Sequence, residues 1–315
     1  MERLVGESGT LSRESAPDPV ASQGMVAVEV TGAGLNNADI LRLHGQYPVP
    51  KGQDARLLGL EFAGKVTSVG PGVTKHAVGD RVMGLSQGAH ATHLLVPEDH
   101  CMPVPDSVPD VDAAGFPEVY CTAYDALFTL GGMTIGSRVL VHGGAGGVGT
   151  AAVQIASLMG AHVTATTRHR KADDILEELG AEEVIDDDIA GLEGSFDVIL
   201  ELARGSHMED NIRCLAPEGT IVVIGMNEAP TPGVNLRLLM QKRGTIRAST
   251  MSGRPGYARA RVMADVTSRL IPFFEAGSLR VLVSATYPFA RAEEAYDAFR
   301  KGGKIGKIIL TMDNV

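Results

Sequence analysis

Short apolar runs broken by Gly, Pro, Asn and Asp fill the first 115 or so residues: Met25 to Val30, Glu61 to Val69, Asp80 to Leu85 and His93 to Val96. Such runs predict strands, with tight turns at Gly70-Pro71-Gly72 and Val78-Gly79-Asp80. From Arg138 the pattern changes. Val139 to His142, Val163 to Thr166, Val184-Ile185, Asp197 to Leu202, Thr220 to Gly225 and Thr245 to Ala248 read as strands. Between several of them, Val148 to Met159, Lys171 to Leu179 and Ser206 to Leu215 read as helices. This alternation predicts an α/β fold, a doubly wound parallel sheet with helices on both faces. The stretch Asp186 to Gly194 is short for a crossover, so its helix is expected to be vestigial. A long helix at Ala258 to Ala276 follows, then a strand at Val281 to Ala285, a helix at Arg291 to Arg300 and a closing strand at Ile305 to Leu310. That tail breaks the alternation and is expected to return to the β-rich part.

Chemistry enters where the alternation begins. Gly144-Ala145-Gly146-Gly147-Val148-Gly149 follows the apolar strand ending at His142 and opens a helix, fitting G-x-G-x-x-G with Gly144, Gly146 and Gly149 as the fixed positions. Glycines let the backbone approach a pyrophosphate, and a helix N-terminus offers N–H groups and the positive end of its dipole. In a chain with 38 glycines the motif alone is weak; the order strand, loop, helix, strand makes it a dinucleotide site. About 18 residues further on, an NAD site would place Asp or Glu at the end of the second strand. Here Thr166-Thr167-Arg168-His169-Arg170-Lys171 stands instead. Arg168, Arg170 or Lys171 would hold a 2′-phosphate by charge-assisted hydrogen bonds, which favours NADPH. The alternative is a solvated turn with ordinary surface charges.

Composition narrows the partners. The chain has 315 residues, 44% hydrophobic and 21% charged, with a formal net charge of −10. That charge argues against nucleic acid. No apolar run is long enough to span a bilayer, and Met1 to Thr10 lacks an apolar signal core, so a cytoplasmic protein is expected. Three widely spaced cysteines, Cys101, Cys121 and Cys214, suit a reducing compartment. The acidic run Asp186-Asp187-Asp188 reads as a solvated loop. Arg204-Gly205-Ser206-His207-Met208 looks like a cloning scar but is internal, and is read as coincidence.

The sequence resembles the medium-chain dehydrogenase/reductase superfamily, in its zinc-independent quinone oxidoreductase (zeta-crystallin-like) branch, over nearly its whole length. The resemblance rests on Gly34-Leu35-Asn36-Asn37-Ala38-Asp39, Gly59-Leu60-Glu61-Phe62-Ala63-Gly64, Val78-Gly79-Asp80-Arg81-Val82, Thr122-Ala123-Tyr124 with Ala126-Leu127, and Gly306-Lys307-Ile308-Ile309-Leu310. It implies a GroES-like β-rich catalytic domain at 1–116 and 277–315 and a Rossmann NADPH-binding domain at 117–276. Zinc members of the superfamily carry a Cys before the Asp-containing helix, a His in G-H-E and a four-Cys lobe. Here Leu35-Asn36-Asn37 and Leu60 occupy those places and no Cys cluster exists, so no metal is expected. His90 and His93, three apart in a strand-like segment, face opposite sides and make a poor ligand pair.

Without a metal, the charge that develops on a substrate oxygen must be met by hydrogen-bond donors or a proton. The resemblance offers Tyr47, in Gly45-Gln46-Tyr47, as proton donor; a loop tyrosine shaping the cleft is the alternative. Asn36 is the polar group expected beside nicotinamide and substrate, or else a turn-stabilising Asn. The implied cofactor contacts are Thr122, Gly144, Gly146, Gly147, Val148, Gly149, Thr167, Arg168, Arg170, Lys171, Gly225 and Lys307. Lys307 could instead be a surface charge, while Glu61, Tyr120 and Tyr124 read as structural. The implied activity is hydride transfer from NADPH to a quinone or another activated C=C or C=O group. An enoyl-thioester reductase, alone or from a polyketide synthase, and a non-catalytic NADPH-binding sensor remain alternatives. The strand Thr245 to Ala248 is the expected edge for a homodimer. Loops at Tyr47 to Ala55, Met226 to Gly233 and Met251 to Tyr257 are expected to shape the pocket for a small-molecule substrate.

Overall fold

The computed structural model describes residues 1–47, 49, 52–168, 170–203, 205–225 and 233–312. The chain divides into two compact units, Met1–Cys121 with Met251–Val315, and Thr122–Thr250.

The first unit opens with an antiparallel hairpin of β1 (Glu2–Glu7) and β2 (Thr10–Ser15). Ser8 and Gly9 both adopt positive φ, 50° and 85°, the turn whose twist matches that of its strands. Next come β3 (Met25–Gly34), α1 (Asn37–Leu43), β4 (Glu61–Val69), β5 (Arg81–Leu85), β6 (His93–Pro97), β7 (Cys101–Pro103) and α2 (Asp110–Ala114). On β3 the alternate residues Val26, Val28 and Val30 enter a core with Phe62, Val66, Val82 and Val96, as the two-residue period of a strand requires.

Helix α3 (Pro117–Tyr124) carries the chain into the second unit. Six parallel strands follow: β8 (Arg138–Val141), β9 (His162–Thr166), β10 (Glu183–Ile185), β11 (Phe196–Glu201), β12 (Leu215–Val223) and β13 (Thr245–Ala248). Their order, β10-β9-β8-β11-β12-β13, reverses direction between β8 and β11. In open α/β sheets ligands bind beyond the strand C-termini at such a reversal. The helices are α4 (Gly147–Leu158), α5 (Asp173–Glu178), α6 (Met208–Cys214) and α7 (Leu236–Lys242). No helix forms between β10 and β11, in keeping with the short connection.

The chain then returns to the first unit through α8 (Gly256–Arg269), α9 (Ile271–Glu275), β14 (Val283–Pro288), α10 (Ala292–Lys301) and β15 (Lys307–Thr311). Strands β14 and β15 extend the first sheet to the order β14-β15-β3-β4-β5-β7, with β6 also on β3. Two details differ from the sequence reading. The helix expected over 258–276 is broken at Leu270, because Pro272 lacks an N–H and sits in the first turn of a new helix. Residues 251–276, expected with the dinucleotide unit, pack instead with the first. Phe274 stacks on Phe116 with ring centroids 4.4 Å apart, and Ser107 Oγ donates to the Glu275 carbonyl.

Candidate functional site

In the second unit, β8 ends at His142 and the glycine loop begins at the strand C-terminus. The Gly144 N–H donates to the Thr166 carbonyl at 2.9 Å, tying the loop to the end of β9. Gly146 caps α4, and no side chain caps it. A Cβ on Gly149 would lie 2.4 Å from the Gly143 carbonyl oxygen, and one on Gly144 would lie 3.0 Å from Ala165 Cβ. Gly147 and Val148 form the first turn of α4, where N–H groups lack intrahelical acceptors. Thr122 is buried in the same unit, and its Oγ1 has no hydrogen-bond partner among the described residues. The cradle and the orphaned hydroxyl fit a bound dinucleotide. Gly225 follows β12 and donates its N–H toward the Glu201 carbonyl at 3.4 Å. The loop expected at Met226 to Gly233 falls outside the described residues except for Gly233.

Just past β9, Thr167 is buried and donates its N–H to the Ile185 carbonyl. The side chain of Arg168 is 66% exposed and that of Arg170 is 88% exposed; Lys171 is exposed as well. The acidic run needs correction. Asp187 is mostly buried rather than a solvated loop residue, accepts from Thr166 Oγ1 at 3.3 Å and lies 3.7 Å from Arg168 Nε. A carboxylate thus does stand beside the second strand, supplied by the turn after β10. Sequence spacing could not reveal it, because adjacency in a parallel sheet links residues about twenty positions apart.

Beneath the loop lies a buried polar network. Asn211 Nδ2 donates to Glu201 Oε2 at 2.9 Å, and His142 Nε2 donates to Asn211 Oδ1 at 2.7 Å. Glu201 also accepts from the Ala203 N–H. His142, Glu201 and His207 bring possible ligand atoms within 4.8 Å of one another, a grouping missed in the sequence because three elements contribute to it. The His142 nitrogen facing Glu201 is already bound to Asn211. Burial lowers the His142 pKa, against the pull of Glu201, so the ring favours its neutral form.

The first unit holds the other named residues. Asn36 caps α1, and its N–H donates to Asp39 Oδ2 at 2.9 Å, in a capping box. Its Nδ2 donates to Glu61 Oε1 at 2.8 Å. Lys307, at the start of β15, is 3% exposed and donates to the Leu35 carbonyl, Asn36 Oδ1 and Glu61 Oε1 at 2.8, 2.7 and 2.6 Å. An ammonium has three donors, and all are used. Lys307 is therefore no surface charge but the centre of a buried ionic knot, and the structural side of Asn36 is explicit. Glu61 completes the knot by accepting from the Glu118 N–H. Burial, then the nearby Glu61 charge, pushes the Glu118 carboxyl up to about 8.

Tyr47 is half-buried. Ser252 Oγ donates to its hydroxyl oxygen at 2.7 Å, and the Arg42 guanidinium lies 5.6 Å from its ring centre. Arg42, Leu60, Glu118, Ser252 and Arg259 line a narrow recess. Neither arginine is singled out by the sequence, and Ser252 only as part of the Met251 to Tyr257 loop; the meeting of α1 with that segment identifies them. His90 is buried with its ring nitrogens 2.9 Å from Tyr296 Oη and 3.2 Å from the Gly34 carbonyl, whereas His93 is half-buried beside Thr92. Tyr120 stacks on Phe116, Tyr124 packs on Phe128, and the three cysteines are buried free thiols.

Comparison with known proteins adds to this geometry. Residues 22–106 match the alcohol dehydrogenase GroES-like domain and residues 147–268 the zinc-binding dehydrogenase family. Polyketide synthase GfsB of Streptomyces halstedii is 34% identical over 96% of this chain. Erythronolide synthase EryA2 of Saccharopolyspora erythraea is 33% identical over 98% of it. The chain spans 5% of the first relative and 9% of the second. Among solved structures, mycobacterial Rv1454c complexed with NADPH superposes with a TM-score of 0.86 at 25% identity, covering 99% of this chain and 100% of that one.

Proposed function

The chain belongs to the medium-chain dehydrogenase/reductase superfamily, and from that premise we propose that it is a zinc-independent reductase passing hydride from NADPH to a quinone or another activated C=C or C=O acceptor. The observation that carries the reading is the pairing of the glycine cradle with cationic side chains just past β9. The cradle would hold the pyrophosphate, and Arg168, with Arg170 and Lys171 exposed beyond it, would hold the 2′-phosphate. Thr122 Oγ1 supplies a hydroxyl ready for the nicotinamide half. The cofactor, when bound, supplies the hydride.

The chain's own residues handle the proton. In this reading the Tyr47 phenol protonates the reduced acceptor, and the hydrogen bond from Ser252 stabilises the oxygen left behind. Lys307 and Glu61 keep Asn36 in place, and in this reading its amide is the polar group beside the reacting groups.

The polyketide synthases among the relatives favour a second reading, an enoyl-thioester reductase that works alone or as part of a synthase. One assay separates them. NADPH oxidation is followed with quinones, enones and crotonyl thioesters, for the native chain and Tyr47→Phe. Loss of activity with thioesters alone selects the second reading, and a general loss supports the first. Tight NADPH binding with no oxidation by any acceptor would leave a sensor. Better rates with NADH throughout would overturn the cofactor assignment.

A further inference from the structure

Arg42 is 3% exposed, yet among the described residues only its Nη1 has a hydrogen-bond acceptor, the Leu57 carbonyl at 3.2 Å. Its Nε and Nη2 have no hydrogen-bond partner among the described residues. These two N–H groups lie along one edge of the guanidinium and form the fork that matches a carboxylate. Burying such an edge without an acceptor carries the full desolvation cost of a charged donor. The nearest acid on the same helix does not supply the acceptor: the Asp39 oxygens take the N–H groups of Asn36 and Gly59. Arg259 lines the same recess, and its Nε is likewise buried without a partner among the described residues.

We propose that Arg42, assisted by Arg259, grips a carboxylate carried by the substrate, so that the preferred acceptors are unsaturated acids rather than their neutral analogues. This rests on the reductase reading above and names its substrate class. The free space in the recess is about 10 Å3, near the room one water takes, so the lining side chains must move outward to admit the head while the apolar remainder of the ligand stays outside. Glu118, with its pKa pushed up to about 8, is mostly uncharged at neutral pH and does not cancel the two arginines. Tyr47 beside Arg42 puts the proposed proton donor next to the bound head.

The test separates binding from turnover. Levulinate and methyl levulinate, which lack a reducible C=C bond, are titrated calorimetrically into the full chain; 4-oxopent-2-enoate and its methyl ester are assayed as acceptors. A charged donor pair predicts that levulinate binds roughly tenfold to a hundredfold more tightly than its ester. In Arg42→Gln that preference disappears, and Arg42→Lys, which keeps charge but loses the fork, restores only part of it. Arg259→Gln weakens the preference in a background that leaves α1 intact. Equal binding of acid and ester, or a preference that survives Arg42→Gln, overturns the proposal. If acid preference holds while no acceptor oxidises NADPH, the recess stands and the reductase reading falls. If acceptors are reduced without acid preference, only the recess falls.

Discussion

At Gly149 a methyl group would sit 2.4 Å from the Gly143 carbonyl oxygen and 2.7 Å from Gly144 Cα, both backbone atoms. No side chain can rotate away to relieve such contacts, so the loop itself must move. Gly149→Val is expected to weaken NADPH binding by about tenfold or more, measured by cofactor fluorescence; an unchanged affinity would place the pyrophosphate elsewhere. Asp187 is expected to act in the opposite sense on the proposed cofactor. Its carboxylate beside Arg168 draws off part of the charge a 2′-phosphate would use. Asp187→Asn is therefore expected to raise the NADPH-over-NADH ratio of kcat/KM several-fold. A fall in that ratio would mean that Asp187 orients Arg168 rather than competing for it.

At the scale of elements, β4, α1 and β15 are bound by one ionic knot. Removing the ammonium with Lys307→Met leaves Glu61 charged and buried, a loss of roughly 3–5 kcal/mol of stability by urea unfolding. Adding Glu61→Gln to that variant is expected to recover part of it. Glu118, at the start of α3, makes stability depend on pH. Burial raises its pKa from an ordinary 4.5 to about 8, so the folded chain keeps a proton that the unfolded chain has released. This contribution is full below about pH 4.5 and is lost as the pH rises through 8. Glu118→Gln should flatten thermal stability across that window; an unaltered slope would assign the dependence to another group. The elements themselves were largely legible. Strands β3, β4 and β5 stand out as short apolar runs bounded by Gly, Pro, Asn and Asp, and the glycine loop sits in a fixed order of strand and helix. The hairpin of β1 and β2 went unread because β2 is polar and largely exposed, with no apolar face to mark it. Lys307 could be placed on a strand but not inside the protein. Its burial depends on Asn36 and Glu61, which no local pattern connects to it. Arg42 was silent for the same reason: an idle edge on a guanidinium is visible only once its surroundings are known.

At the scale of the whole molecule, β13 ends the six-stranded sheet and pairs only with β12 among the described strands. Such an edge invites a second copy. Sedimentation is expected to give twice the chain mass, and a monomer at all concentrations would refute pairing there. The knot at Lys307 also has a consequence for synthesis. It joins residues 271 positions apart, and the last strand supplies the antiparallel partner for the end of β3. The unit Thr122–Thr250 is continuous in sequence and can fold as soon as it leaves the ribosome. The other unit cannot close until β15 emerges, and until then Glu61 is a buried-to-be anion without its cation. A ribosome-bound chain arrested near residue 282 should therefore protect Thr122–Thr250 from protease while Met1–Cys121 is still cut. In such a chain the half proposed to bind the cofactor would mature before the half proposed to use it.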